Sequence, residues 1–144
     1  MQRRPFLQLA SLGAIALAGT AACLPAMAQA SGPFKIGLIL PMTGQQASTG
    51  RQIEAAARLY MAQNGDTVAG RKVELIVKDD VATPDVTKRL AQELIVNDKV
   101  NVIAGFGVTP AALAAAPLAT QAKVPQVVMA AATSSITEAS PFIV

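Results

Sequence analysis

Residues 34–44 read FKIGLILPMTG, a mostly apolar run that is broken by Pro41. A short apolar run with such an end is typical of a buried strand that leads into a loop. Three further apolar runs follow, at residues 73–77, 100–104 and 124–129. Stretches with helical spacing separate these runs from one another. The alternation predicts an α/β fold with an open parallel sheet and helices on both faces.

The spacing predicts a first helix from about Ser48 to Asn64. Its apolar positions recur at three- and four-residue intervals, which places them on one helical face. This predicted buried face comprises Ile53, Ala56, Ala57, Tyr60 and Met61. Two later helices are predicted to begin at Thr83-Pro84 and Thr109-Pro110, because a capping hydroxyl beside a proline is a helix-start pattern.

Residues 1–30 have the features of a signal peptide that is removed on export. Arg3 and Arg4 precede a small, apolar run from Leu7 to Ala22, and two A-x-A cleavage patterns end at Ala28 and Ala30. The run is short for a membrane-spanning helix. An ordinary Sec signal and a twin-arginine signal both fit, and Cys23 adds a lipoprotein signal as a third option. Residues 31–144 then remain as one exported domain.

The composition of residues 31–144 argues against several classes of function. Without Arg3 and Arg4, ten Lys/Arg remain against nine Asp/Glu, and the chain has no Trp, so a nucleic-acid surface is not expected. The chain has no histidine, and its one cysteine, Cys23, lies in the predicted signal peptide. These residues therefore offer no histidine-based triad, histidine zinc site or disulfide. We expect no enzyme activity, no metal and no cofactor.

In open α/β sheets, ligands bind beyond the carboxyl ends of the strands, where the strand order reverses. Three loop segments should lie there: residues 42–49, 105–109 and 130–135. All three lack charged side chains and contain small residues and hydroxyls, so they favour an anionic ligand held by neutral donors. Thr109 and Thr133 are the candidate hydroxyl donors. The alternative is that each hydroxyl only caps its helix.

Two nearby patterns suggest other chemistry but fit it poorly. GFGVTP at residues 105–110 begins like a dinucleotide fingerprint, but Pro110 replaces the third glycine and the run follows the third strand. Asp79 and Asp80 end a strand and could hold a magnesium ion, but adjacent residues of an extended chain point to opposite sides. We expect a solvated strand end there, or a cap for the next helix.

Five short segments also occur in a familiar order and spacing. They are IGLILPMTG (36–44), VIAG (102–105), APLA (116–119), KVP (123–125) and AAATS (130–134). Together they resemble the branched-chain amino-acid (Leu/Ile/Val) binding proteins, which are type I periplasmic solute-binding proteins of ABC importers. The resemblance extends from about Phe34 to Val144.

The resemblance implies a monomeric receptor with two α/β lobes that close on a ligand, of which residues 31–144 form an incomplete N-terminal lobe. It implies delivery of a branched-chain amino acid or similar small carboxylate to permease and ATPase subunits. The family's ligand contacts after the third and fourth strands carry over to Val108, Thr109, Ala131, Ala132 and Thr133. The family often has two serines at the first two positions. The later segment aligns in two registers, which place the family's threonine at Thr133 or at Ala132.

Two other classes of function remain open at this point. The extracytoplasmic sensing domain of a receptor would use the same fold, followed by a transmembrane or kinase segment. An enzyme would need a histidine or paired acids that face the cleft from sequence beyond Val144. The apolar end of the chain, Phe142 to Val144, looks like the start of another strand. We therefore expect this sequence to be a piece of a longer protein.

Overall fold

Strands and helices alternate along the part of the chain that the structure, a computed structural model, describes, which is residues 32–144. The predicted signal peptide, residues 1–30, lies outside the described residues. The elements are β1 (Phe34–Leu40), α1 (Ala47–Asn64), β2 (Thr67–Val68), β3 (Arg71–Asp79), α2 (Pro84–Val96), β4 (Val102–Gly105), α3 (Thr109–Ala122), β5 (Gln126–Val128) and a short 3-10 helix (Ser134–Ile136). Within this described part, no helix has both the length and the apolar character needed to cross a membrane.

The sheet has the strand order β2-β3-β1-β4-β5. β1 is central and pairs in parallel with β3 on one side and with β4 on the other, while β5 pairs in parallel with β4. The chain therefore builds outward from β1 first in one direction and then in the other. This reversal of strand order at β1 is the feature beside which open α/β sheets bind their ligands.

The prediction of a wholly parallel sheet is wrong for β2. This strand pairs antiparallel with the start of β3, with Thr67 opposite Lys72 and Val68 opposite Arg71. Ala69 and Gly70 form the connection, with φ angles of 50° and 77°. Positive φ at both central residues is the geometry of a tight hairpin turn. Two residues of strand are too short to produce a recognisable hydrophobic period, so the pattern gave no sign of β2.

The apolar end of the chain pairs with the sheet, as the sequence predicts. Ile143 forms a parallel bridge with Gln126 of β5. The Gln126 N–H donates to the Phe142 carbonyl at 2.8 Å, and the Val144 N–H donates to the Gln126 carbonyl at 3.0 Å. The segment 142–144 therefore lies along the outer edge of β5.

Helices cover both faces of the sheet, as predicted, because β1 alternates its side chains between two apolar clusters. Leu38 and Leu40 belong to the cluster beneath α1, and Ile39 belongs to the cluster beneath α2 and α3. All three side chains are at most 2% exposed. α3 contributes buried alanines, which allow the helix to pack closely on its neighbours: Ala111, Ala112, Ala115, Ala116 and Ala119.

The predicted buried face of α1 is only partly correct. Ile53 and Ala57 pack against the cluster beneath the helix, but Ala56 is exposed and Tyr60 is 67% exposed. Gly50, in the first turn of the helix, makes the closest contact: a Cβ built on it would lie 2.2 Å from the Pro41 carbonyl oxygen. The first half of α1 therefore packs against the chain at the end of β1, whereas Tyr60 near the end of the helix is exposed.

We expect Leu94→Ala to destabilise the fold and Leu59→Ala to leave it nearly unchanged. Leu94 is fully buried in the cluster beneath α2 and α3, whereas Leu59 on α1 is 57% exposed. Removing a buried leucine costs about 2–5 kcal/mol because it leaves a cavity, and surface substitutions stay within about 0.5 kcal/mol. Urea unfolding of the full-length protein measures both. Equal midpoints for the two variants would contradict the packing described.

Candidate ligand-binding site

The three predicted loop segments leave the sheet at one edge. β1, β3, β4 and β5 run in parallel, so their carboxyl ends lie at that edge together. Residues 42–49 follow β1, residues 105–109 include the end of β4, and residues 130–135 follow β5. This edge, formed by the three segments, is called the binding edge below.

Main-chain hydrogen bonds join the segment after β4 to the segment after β5. The Met129 N–H donates to the Gly105 carbonyl at 2.8 Å, and the Ala131 N–H donates to the Phe106 carbonyl at 3.0 Å. The Phe106 N–H in turn donates to the Ile39 carbonyl of β1 at 2.8 Å. These bonds continue the sheet pairing beyond the strands. They place Gly105 and Phe106, which precede Val108, beside Met129 and Ala131 of the segment after β5.

Two buried side chains anchor these segments in the core. Phe106 is fully buried, and Ile136 of the 3-10 helix is 3% exposed; both belong to the cluster beneath α2 and α3. Phe106 has a φ of 65°, a conformation that a bulky residue adopts only when its surroundings hold it there. The sequence did not lead us to predict Phe106 as an anchor of this edge. A large aromatic residue between two glycines at the end of a buried strand is the pattern that could have indicated it.

The five predicted site residues lie on the binding edge and are accessible to different degrees. Val108, Thr109, Ala131 and Thr133 are partly buried, and Ala132 is exposed. Val108 occupies the N-cap position of α3, so Thr109 is the first helical residue; Thr133 occupies the N-cap position of the 3-10 helix. Neither helix start has a side-chain cap hydrogen bond. The capping alternative is therefore wrong for both hydroxyls. The Thr133 hydroxyl instead lies 3.1 Å from the Ser135 hydroxyl.

The start of α3 adds main-chain donors to this edge. The first N–H groups of any helix have no acceptor within the helix. In α3 the Ala112 N–H is bonded to the Val108 carbonyl at 3.2 Å, and Pro110 has no N–H to offer. The N–H groups of Thr109 and Ala111 thus remain at the positive end of the helix dipole. An anionic group at this edge would meet neutral donors and no charged side chain of the three segments.

The loop after β1 abuts the loop after β4 through Pro41. A Cβ built on Gly107 would lie 2.5 Å from Pro41 Cγ, so only glycine permits this contact. Pro41 also touches Gly50, so it is packed between the start of α1 and the segment that carries Val108 and Thr109. The sequence analysis did not foresee this contact, although glycines near a strand end often mark a close approach of two chain segments.

The two acids at the end of β3 both accept hydrogen bonds from the protein. Asp80 is fully buried, which contradicts the expectation of a solvated strand end. Asp79 is partly buried, and this desolvation opposes its ionisation. Hydrogen bonds from Thr43, Val81 and Met42 outweigh it and lower the pKa of Asp79 below its usual value. Across residues 32–144 no three potential ligands from His, Cys, Asp and Glu cluster in a way that could hold a metal ion.

The sequence profile of the periplasmic binding proteins matches residues 33–144. The chain belongs to this family. A periplasmic binding protein relative from Brucella abortus, the Leu/Ile/Val-binding protein homolog 6, is 43% identical over 122 residues, which are 84% of this chain and 31% of the relative.

Two solved structures from Rhodopseudomonas palustris share the fold of this family member. The solute binding protein of an ABC transporter from strain BisB5, in complex with 3,4-dihydroxybenzoic acid, is 76% identical with a TM-score of 0.77. A solute binding protein from strain HaA2, in complex with p-hydroxybenzoic acid, is 49% identical with a TM-score of 0.75. Each comparison covers 78% of this chain and 31% of the other. The chain thus spans 31% of the length of these relatives.

The contact between Pro41 and Gly107 can be tested by a double-mutant cycle. We expect Gly107→Ala to destabilise the protein by about 1–3 kcal/mol, because the new methyl group overlaps the Pro41 ring. Pro41→Ala should relieve that overlap, so the two substitutions should be coupled by at least about 0.5 kcal/mol. Urea unfolding of the wild-type protein, both single variants and the double variant measures the coupling. Additive effects would show that the two loops do not touch.

Proposed function

We propose that this chain is the N-terminal lobe of a periplasmic solute receptor, which captures a small carboxylate and delivers it to the permease and ATPase subunits of an ABC importer. The receptor acts as a monomer without a cofactor and breaks no bond. One observation carries the proposal. The segments after β4 and β5 are held side by side by the Ala131–Phe106 hydrogen bond and present neutral donors at the edge where strand order reverses.

Two kinds of donor suit this edge to a carboxylate. The hydroxyls of Thr109 and Thr133 and the N–H groups of the first turn of α3 all donate without a formal charge. A carboxylate removed from water needs its oxygens hydrogen-bonded, because each unmet bond costs free energy. Neutral donors supply these bonds without burying a cation, and hydrogen bonds to a charged group contribute about 1.5–3 kcal/mol each.

We further propose that the solute is an aromatic carboxylate of the hydroxybenzoate class, and that a branched-chain amino acid is the second candidate. The 76% identity to a protein in complex with 3,4-dihydroxybenzoic acid supports the first, and the 43% identity to a Leu/Ile/Val-binding protein homolog supports the second. The higher identity makes the aromatic acid the first candidate.

Titration calorimetry with the full-length mature protein tests the ligand. We expect heat of binding with 3,4-dihydroxybenzoate and 4-hydroxybenzoate, and weaker or no binding of leucine and isoleucine. Thr109→Val and Thr133→Val keep the side-chain shape and remove one hydroxyl. Each should weaken binding about tenfold, because one hydrogen bond to the carboxylate is lost.

Thr67→Val serves as the matched control, since Thr67 is exposed and lies in β2, beside the start of β3 and far along that strand from its carboxyl end. Its affinity should equal that of the wild type. Absence of heat with every acid of the panel would refute the proposed function. Tight binding of leucine alone would replace the aromatic ligand with the amino acid.

Export can be tested separately by cell fractionation. We expect the mature protein in the periplasmic fraction, with an N-terminus after Ala28 or Ala30, because both positions end an A-x-A pattern. The double variant Arg3→Lys/Arg4→Lys distinguishes the two export routes: it blocks a twin-arginine signal and leaves a Sec signal active. Full-length protein retained in the cytoplasm of the unmodified strain would contradict the periplasmic location.

A further inference from the structure

The carboxylate of Asp79 joins two parts of the chain that are distant in sequence. Its Oδ1 accepts the Met42 N–H at 2.8 Å and the Val81 N–H at 2.9 Å. Its Oδ2 accepts the Thr43 hydroxyl at 2.7 Å. Met42 and Thr43 belong to the loop after β1, whereas Asp79 ends β3. One side chain therefore fixes the loop after β1 to the neighbouring strand at the binding edge.

The adjacent acid makes a different set of contacts. Asp80 Oδ1 accepts the Ala82 N–H at 3.0 Å, and its Oδ2 accepts the Thr87 hydroxyl at 2.7 Å in the first turns of α2. The bond from Thr87 is buried and the bond from Ala82 is partly buried, and both stay within the β3–α2 connection and the start of α2. The two carboxylates therefore have different roles. Asp80 is hydrogen-bonded to the start of α2, and Asp79 is hydrogen-bonded to the loop after β1 at the binding edge.

The loop that Asp79 holds is in direct contact with the predicted ligand-binding segment. Pro41 precedes Met42 and packs against Gly107, which is followed by Val108 and Thr109. Residues 43–46 are exposed, so packing alone does little to hold this loop. A displacement of Met42 would be transmitted through Pro41 to the donors at the start of α3.

We propose that Asp79 is a positioning residue for solute binding: it holds the loop after β1 so that Pro41 supports the Val108-Thr109 segment. This inference rests on the proposed function, in which that segment contacts the solute. Asp79 itself touches no ligand in this account. It acts through the three hydrogen bonds to Met42, Thr43 and Val81.

The test compares three substitutions in the full-length protein, with 3,4-dihydroxybenzoate as the probe. Asp79→Ala removes all three hydrogen bonds and should weaken binding about tenfold. Asp79→Asn keeps one oxygen for the two N–H groups, so it should restore much of the affinity. Thr43→Val removes a single hydrogen bond from an exposed side chain and should have a small effect, about two- to fivefold. Asp85→Ala, at an exposed acid in the first turn of α2, is the matched control and should bind like the wild type.

One control condition and one further readout separate positioning from a general loss of stability. Each variant is titrated well below its unfolding temperature, so that the folded fraction is complete. The amide proton of Met42, assigned with selectively labelled methionine and the variant Met42→Leu, should shift upfield in Asp79→Ala and stay near its wild-type position in Asp79→Asn.

Wild-type affinity in folded Asp79→Ala and Thr43→Val, even with lower unfolding temperatures, would overturn the proposal by making Asp79 merely structural. Equal weakening in Asp85→Ala would overturn it as well. If the wild-type protein binds no acid of the panel, the proposed function fails, and the role of Asp79 in binding fails with it. If the wild-type protein and the Asp79→Ala variant bind the probe equally well, the proposed function stands and only the role of Asp79 fails.

Discussion

The pairing of β1 with a parallel neighbour on each side is the constraint on which the rest of the structure depends. Because β3 and β4 both run in the direction of β1, all three strands end at the same edge and their loops must meet there. β1 also supplies side chains to both apolar clusters. The strand that orders the sheet is thus the strand that fixes the core, and a displaced β1 would separate the loops of the binding edge.

The parallel strands and the three helices could be predicted because each is signalled by residues within a dozen positions of one another. The positions of Thr109 and Thr133 at the binding edge followed from the general rule for open α/β sheets. β2 could not be predicted in this way, since two residues carry no periodicity. The exposure of Tyr60 also could not be predicted, because the spacing of apolar residues in α1 defines a helical face but not which positions of that face the rest of the chain covers.

The contacts that hold the binding edge together were harder to foresee. The hydrogen bond between Ala131 and Phe106 uses only main-chain atoms, so no pattern of side chains in the sequence indicates it. Asp79 accepts a hydrogen bond from Met42, which lies 37 residues earlier in the chain. Asp80 is buried and accepts a hydrogen bond from Thr87 of the next helix. From the sequence alone, a buried acid at a strand end cannot be distinguished from a solvated one. Sequence patterns therefore predicted which segments lie at the binding edge, and the structure supplied the bonds that hold them in place.

The short strand β2 has a consequence for how copies of this chain meet. Exposed strand edges offer free N–H and C=O groups to other molecules and promote intermolecular sheet growth. β2 pairs only with Arg71 and Lys72, so within the described residues the outer edge of β3 beyond Lys72 has no neighbouring strand. Lys72 and Glu74 on β3 are exposed, and charged side chains on an edge strand discourage a second copy from pairing there.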